Sequence, residues 1–381
     1  MGNPLGVEGV ITEKTIKRLA KQSIDFHCHG IGRFDFTDIL SLKLQEIEDI
    51  LVMRKQKVVL TLYLPQPSFE SFLELMEIFE QGKKSGKFKQ IIGFALEGPL
   101  LSSHGGTPEK GVWIPMKQHW KRLAACGKKG LIYVILSPDA RCPGSHFYLN
   151  LNTQAPTITW ITEILLSGGV LPAPGHFAKT DPAASAKELQ SIFDVVAAWG
   201  QGVIITDHLF NDMPLNFKHA WRNKEEKAQR DQAVKQLNLE SWHLGNLEEK
   251  LGHIPAVMIK NARKGLVKLC QNFDGEHVDL AIVKKAVELT GVENMLMMTD
   301  SIESKRLAGC DLTMREGSTL LYQNTGIVAA GTQGVEKQIQ NMVTIGLSPQ
   351  QIKFITNIVP TDIIAQHARL QKRGSLANEL V

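Results

Sequence analysis

The sequence predicts an α/β protein, and within that class a (β/α)8 TIM barrel; three observations lead there. Eight short apolar runs recur along the chain, at residues 23–29, 57–64, 90–97, 130–137, 169–176, 202–208, 265–273 and 294–300. The runs are continuous rather than alternating, as expected of parallel strands covered on both faces. Between them lie amphipathic segments with apolar residues at i, i+3 and i+4. A doubly wound open sheet is the architectural alternative, because the same strand–helix alternation builds both.

The elements follow in order. SIDFHCH, KVVLTLYL, QIIGFALE and GLIYVILS form the first four strands. GVLPAPGH, GVIITDH, GLVKLCQNF and NMLMMTD form the rest. Helical spacing fills residues 37–53, 68–85, 117–126, 156–166, 182–199 and 280–290, with Ser68 expected to cap the second of these. Residues 209–264 are long for one connection, and 223–250 are charged and helical, which reads as a solvated excursion or a lid. Within it, Trp221 and Trp242 are lid contacts or ordinary packing. Short β-like runs at 310–314 and 318–322 suggest a hairpin over the barrel mouth. Three helices are expected at 333–346, 348–355 and 360–370. The domain scheme is an N-terminal segment (1–22), a barrel (23–370, with the insertion at about 209–264) and a tail (371–381).

Composition excludes several classes. The chain has 381 residues, 43% of them hydrophobic and 22% charged, as in an ordinary globular protein rather than a disordered one. Lys and Arg number 43 against 39 Asp and Glu, and the signs are mixed, so no nucleic-acid partner is expected. No stretch reaches the ~18–20 apolar residues of a membrane helix. Residues 1–20 lack the apolar core of a secretory signal. Five scattered cysteines without CxxC pairing suit reduced thiols and a cytoplasmic setting. A homodimer is a further expectation.

Chemistry gathers where strands end. The first strand carries His27 and His29, whose i, i+2 spacing puts both imidazoles on one side. Cys28 between them points the other way and reads as a packed thiol. The third strand ends in Glu97, costly to bury without a partner. The fifth ends in His176, the sixth in Asp207 and His208, the eighth in Asp300. Taken singly, each is more often structural than functional. Jointly, a divalent metal explains four imidazoles and the two carboxylates Glu97 and Asp300 at one face. Zinc suits such ligands, as do iron, manganese and cobalt. Such an ion lowers the pKa of bound water to ~7, and Asp300 is placed to take its proton and pass it to a leaving amine.

Six motifs carry a resemblance: DFHCHG (25–30), GFALEGPLL (93–101), PGHFAKT (174–180), DHLFNDMP (207–214), DGEHVD (274–279) and MMTDS (297–301). In this order they resemble the amidohydrolase superfamily, and within it the N-acetylglucosamine-6-phosphate deacetylases. The resemblance implies a metal-dependent hydrolase of a small-molecule N-acetylated amino sugar or related amide, with attack by metal-bound hydroxide. It implies that Glu97 is a ligand shared between one or two ions. His176 and His208 would complete one site with Glu97; His27, His29 and Asp300 would complete the other. Asp300 would be the general acid/base. His277 would stabilise the oxyanion, and Asn211 and His277 would contact the sugar or its phosphate. Cyclic amides, lactones or deamination substrates need the same machinery, and a non-catalytic barrel is a third reading.

Departures bear on substrate. Asp212 stands where the family has a small residue bordering the phosphate, and a carboxylate there repels phosphate. The expected arginine has no clear counterpart, though Lys218 and Arg222 are near, and Lys218, Asp212 and Trp113 are expected to contact substrate. Trp113 stands in the loop where the family has a substrate-touching histidine, and either stacks on a sugar face or packs the loop. The family's companion β-sandwich is expected to be absent or vestigial. The run Gly331–Gly334 reads as a helix start rather than an anion site.

Overall fold

The computed structural model describes residues 11–151, 154–200, 202–219, 221 and 223–377. Eight parallel strands form its centre: β1 (Ile24–Ile31), β2 (Lys57–Leu62), β3 (Ile91–Glu97), β4 (Leu131–Leu136), β5 (Leu171–Pro174), β6 (Ile204–His208), β7 (Val267–Gln271) and β8 (Met295–Met297). β1 to β5 pair in sequence order, and so do β6 to β8. That unreversed order is barrel-like; a doubly wound sheet reverses direction at a switch point. β8 runs on into Ser301–Ile302, which pairs with the free edge of β1 through Cys28↔Ser301 and Gly30↔Ile302. The carboxylate of Asp25 reinforces this junction by accepting from the Thr299 backbone N–H at 3.1 Å and its hydroxyl at 2.6 Å.

The other junction, between β5 and β6, carries no backbone ladder among the described residues. The sequence of β5, LPAP, gives the reason. Gly175 directs its N–H to Leu136 O of β4 at 3.1 Å. By strand alternation, positions 172 and 174 then face β6, and both are prolines without a donor. Packing substitutes for hydrogen bonds there. A Cβ on Gly175 would lie 2.4 Å from Cβ of Asp207, so only glycine admits this approach.

The helices are α1 (Glu13–Gln22), α2 (Leu44–Arg54), α3 (Phe69–Lys84), α4 (Lys117–Ala125), α5 (Ile158–Ser167), α6 (Pro182–Trp199), α7 (Lys224–Gln236), α8 (Leu247–Leu251), α9 (His253–Arg263), α10 (Leu280–Thr290), α11 (Val335–Thr344), α12 (Pro349–Lys353) and α13 (Val359–Ala377). Several sequence expectations shift. α2 starts only at Leu44, after a single 3-10 turn at Ile39–Ser41. Ser68 makes no side-chain cap, because it ends a 3-10 turn that leads into α3. α12 and α13 are joined by a π-helical turn, Phe354–Ile358, rather than separated. The excursion after β6 is shorter than expected, since α9 is the barrel helix that packs on α6 and β7. No helix among the described residues is long and apolar enough to cross a membrane. All five cysteines are free thiols, and Cys28, Cys126, Cys142 and Cys270 are buried.

Within the excursion, α7 buries only Arg230 and Val234, as its charged sequence predicts. Arg230 donates to the carbonyls of Gly275 and Glu276, tying α7 to the loop after β7. Trp242 is packing: it is buried, with its ring centroid 5.6 Å from that of Phe217. The hairpin expected over the mouth is present in a larger form. Thr313–Met314 pairs with Leu320–Tyr322, which pairs with Val328–Gly331, and that strand continues the barrel sheet through Ser301.

Two consequences are measurable. Gly175→Ala forces β5 and β6 apart and costs about 1–3 kcal/mol, read as a lower urea midpoint. His367, on α13, is buried with Nε2 2.9 Å from Leu131 O and Nδ1 accepting from Gln371 at 3.0 Å. Burial pushes its pKa down to about 4, against an ordinary 6.5. The unfolded chain therefore binds the proton first, and the stability is full above pH 6.5 and drains as pH falls toward 4. His367→Gln should flatten that part of a stability–pH curve by an amount on the order of 3 kcal/mol.

Candidate metal centre

Each strand end delivers its side chain to one mouth, and Glu97 sits at the hub. Its Oε2 lies 3.1 Å from His27 Nε2 and 3.3 Å from His29 Nε2. Its Oε1 lies 3.0 Å from His176 Nε2 and accepts from the Thr107 hydroxyl at 3.1 Å. His27 Nε2 and His29 Nε2 are 3.1 Å apart, and Asp300 Oδ1 is 3.1 Å from His29 Nε2. Cys28 turns away, its thiol directed at Gly30 O and Ser301 O. Among the described residues, His27, His29 and Glu97 form one set of potential metal donors; Glu97, His176 and His208 form another.

The donor sets fit a divalent ion. In each, the donor atoms lie within 4.8 Å of one another. Tetrahedral coordination with bonds near 2.0–2.1 Å puts ligand atoms about 3.3 Å apart, close to the spacings around Glu97. Glu97 Oε2, His176 Nε2 and His208 Nδ1 are buried without an aligned hydrogen bond, although neighbours lie at contact distance. Buried donor atoms left without a hydrogen-bond partner are what a bound ion would satisfy.

Electrostatics agree with this arrangement. Burial alone would raise the Glu97 carboxyl, but the imidazoles of His176, His27 and His29 hold it well below the usual range. Burial opposes ionisation of Asp300 too, yet His29 and His277 bring it down to about 2. His29 rises to about 10 against its burial, because Asp300 and Glu97 flank it. His277 rises to about 9 against its burial, chiefly through Asp274, whose Oδ2 is 2.5 Å from His277 Nδ1. At neutral pH Asp300 is therefore a carboxylate and His277 a cation, with 3.5 Å between Asp300 Oδ2 and His277 Nε2.

A cavity of about 640 Å³ opens above this floor. Glu97, His176, His208, Asn211, Asp212, His277 and Asp300 line it. His27 and His29 are not among the lining residues; they sit buried beside Glu97. One flank is polar, with Ser103, His104 and Lys179; another is apolar, with Trp221, Leu320 and Val328. Trp221 is thus a cavity contact, its indole N–H donating to Glu276 O at 3.1 Å.

Two expected substrate contacts are corrected. Trp113 is buried away from the cavity, its indole N–H donating to Leu64 O at 2.7 Å and its ring edge-on to Phe69 and His119. It packs the loop. Lys218 is exposed and does not line the cavity. Arg222 lies outside the described residues. The cation near Asp212 is instead Lys179, with Nζ 2.8 Å from Asp212 Oδ1. Asp212 is therefore already paired, which weakens the repulsion expected against a phosphate. Gly331–Gly334 does lead into α11, and Gly331 N–H donates to Asp300 O at 2.7 Å.

Sequence reasoning gave no role to Asp207, Asp274, Tyr63, Thr107 or Lys179. Asp207 and Asp274 had a signal, being one and three residues from a selected histidine. Tyr63 is buried, its hydroxyl 3.4 Å from His29 Nε2, and nothing in the strand KVVLTLYL marked it.

Glu97→Gln removes the hub of both donor sets. The variant should bind zinc at least 10–100-fold more weakly than the parent chain by calorimetry, with chelator no longer lowering its melting temperature.

No family model matches the chain, and no curated protein matches it. Solved structures do. N-acetylglucosamine-6-phosphate deacetylase from Pasteurella multocida superposes with a TM-score of 0.63 at 16% identity, over 91% of this chain and 77% of that one. The Mycobacterium smegmatis enzyme in complex with N-acetyl-D-glucosamine-6-phosphate gives 0.63 at 17%, over 90% and 77%. The Thermotoga maritima enzyme gives 0.62 at 14%, over 90% and 78%. The chain thus has the fold of the N-acetylglucosamine-6-phosphate deacetylases, the group its motifs resemble.

Proposed function

We propose that this chain is a metal-dependent hydrolase of carbon–nitrogen bonds that deacetylates an N-acetylated amino sugar or a related amide. The observation that carries the reading is the convergence of Glu97, His176 and His208 with Asp300 on the floor of one cavity. A divalent ion held there, zinc being the natural choice for this donor set, supplies Lewis acidity that acidifies water and polarises an acyl oxygen. The chain's own residues do the rest. Asp300, ionised at neutral pH, accepts a proton from the attacking water at its carboxylate. It then returns that proton to the amine nitrogen as the carbon–nitrogen bond breaks. His277, held cationic by Asp274, donates Nε2–H toward the oxygen on which negative charge builds. Asn211 borders the cavity with its amide nitrogen 3.2 Å from Asn272 Oδ1, which leaves its carbonyl oxygen for substrate. Hydroxyls and amides match the polar flank of the cavity, and the apolar face of a sugar ring matches Trp221 and Leu320.

Acetate release from a panel of N-acetylated amino sugars, with and without phosphate, tests the reading. Asp300→Asn should keep zinc bound, by elemental analysis, while acetate release falls about 10²–10⁴-fold. Unchanged turnover would remove Asp300 from its role. A metal-loaded chain that hydrolyses none of the panel would discard the deacetylase reading.

A further inference from the structure

The Nε2 side of His176 is crowded with acceptors. Glu97 Oε1 lies 3.0 Å away and Asp207 Oδ2 3.1 Å away. Either carboxylate favours a proton on Nε2, and a proton there removes the lone pair a metal needs. The single opposing influence is on the other side of the ring, where Asp212 Oδ2 lies 2.9 Å from Nδ1. We propose that Asp212 is a positioning residue for His176: it keeps the ring proton on Nδ1 and so holds Nε2 free toward Glu97 and His208. This rests on the reading of His176 as a metal ligand.

The rest of Asp212 is built to hold that carboxylate still. Its other oxygen accepts from the Ser103 hydroxyl at 2.8 Å and the Lys179 ammonium at 2.8 Å. Its backbone carbonyl accepts from Phe177 N–H at 2.9 Å, and Ser103 N–H donates back to His176 O at 3.2 Å. Three loops therefore close on one side chain. Room for it depends on Gly105, where a Cβ would lie 2.8 Å from Asp212 Oδ2 and 3.4 Å from His176 Nδ1. Both partners also have left-handed backbones, φ 41° at Asp212 and 53° at His176, a conformation that aspartate and histidine tolerate better than most residues. Such geometry persists only where surrounding contacts enforce it. A carboxylate behind a ligating imidazole fixes its tautomer and raises its basicity.

The test is zinc titration of the metal-free full chain by calorimetry, with His176 ring nitrogens followed by NMR. Asp212→Ala should weaken zinc 10–100-fold and, in the zinc-loaded chain, move the His176 Nδ1–H resonance upfield as its hydrogen bond to the carboxylate is lost. Asp212→Asn keeps an oxygen acceptor and should lose less. Ser103→Ala and Lys179→Met, which touch only the far oxygen, should bind zinc like the parent. The inference is overturned if Asp212→Ala and Asp212→Asn both bind zinc as the parent does. It is equally overturned if Ser103→Ala and Lys179→Met lose as much as Asp212→Ala, since the aspartate would then only clamp loops. A parent chain that binds no zinc overturns the metal reading itself.

Discussion

A buried carboxylate organises this molecule. Glu97 is 3% exposed at the end of a strand whose other inward positions are apolar. An isolated carboxylate in such a place would cost several kcal/mol or take up a proton. It stays ionised because His27, His29, His176 and Thr107 converge on its two oxygens. Those partners come from β1, from the end of β5 and from the loop after β3. None is close to another group in sequence, apart from the two histidines of β1. The in-order pairing of β1 to β5 brings their ends together, so the surroundings of Glu97 depend on the order of the sheet.

The strand ends are also where the backbone is unusual. Among the described residues, seven non-glycine residues adopt left-handed backbones, and four of them, His176, Phe210, Asp212 and Asp300, line the cavity. Each follows a strand end, where the chain must turn while presenting a particular side chain inward. Strain of this kind is tolerated where the scaffold around it is rigid, as the buried strands beneath it are. The seam between β5 and β6 is part of the same arrangement. Two prolines remove the ladder there, and Gly175 brings Asp207 against the β5 end, which places Asp207 beside His176 and His208.

Much of the scaffold was legible in the sequence because it rests on local patterns. The apolar runs marked all eight strands, and the helices at Pro182–Trp199 and Leu280–Thr290 fall where their periodicity put them. The polar residues at strand ends were legible for the same reason: HxH and the terminal Glu97, His176, His208 and Asp300 stand out against apolar neighbours. What was not legible depends on contacts between distant segments. Trp113 was an equal choice between stacking and packing until Leu64 and Phe69 were seen around it. Lys218 was nearest to Asp212 along the chain, whereas Lys179 is nearest in space. Asp212 looked like an unpaired charge facing substrate, because nothing local reveals Ser103, Lys179 and His176 as its partners.

The charge balance of the site shows why its residues are poised for a cation. Glu97 and Asp300 bring two negative charges into a region where water is scarce. In the protein alone, those charges are offset by imidazoles that become protonated, His29 to the extent of a pKa near 10 and His176 well above its ordinary value. A divalent ion would offset the same two charges while requiring the imidazoles to be neutral. Protons and metal therefore compete for the same nitrogens, and the outcome turns on where each ring holds its remaining proton. Among the described residues, His29 Nδ1 has no hydrogen-bond partner, whereas His176 Nδ1 faces the Asp212 carboxylate at 2.9 Å. With the ring neutral, the inferred role of Asp212 follows from its place on the cavity wall behind His176: it would hold the remaining proton on Nδ1 and leave Nε2 free for the ion.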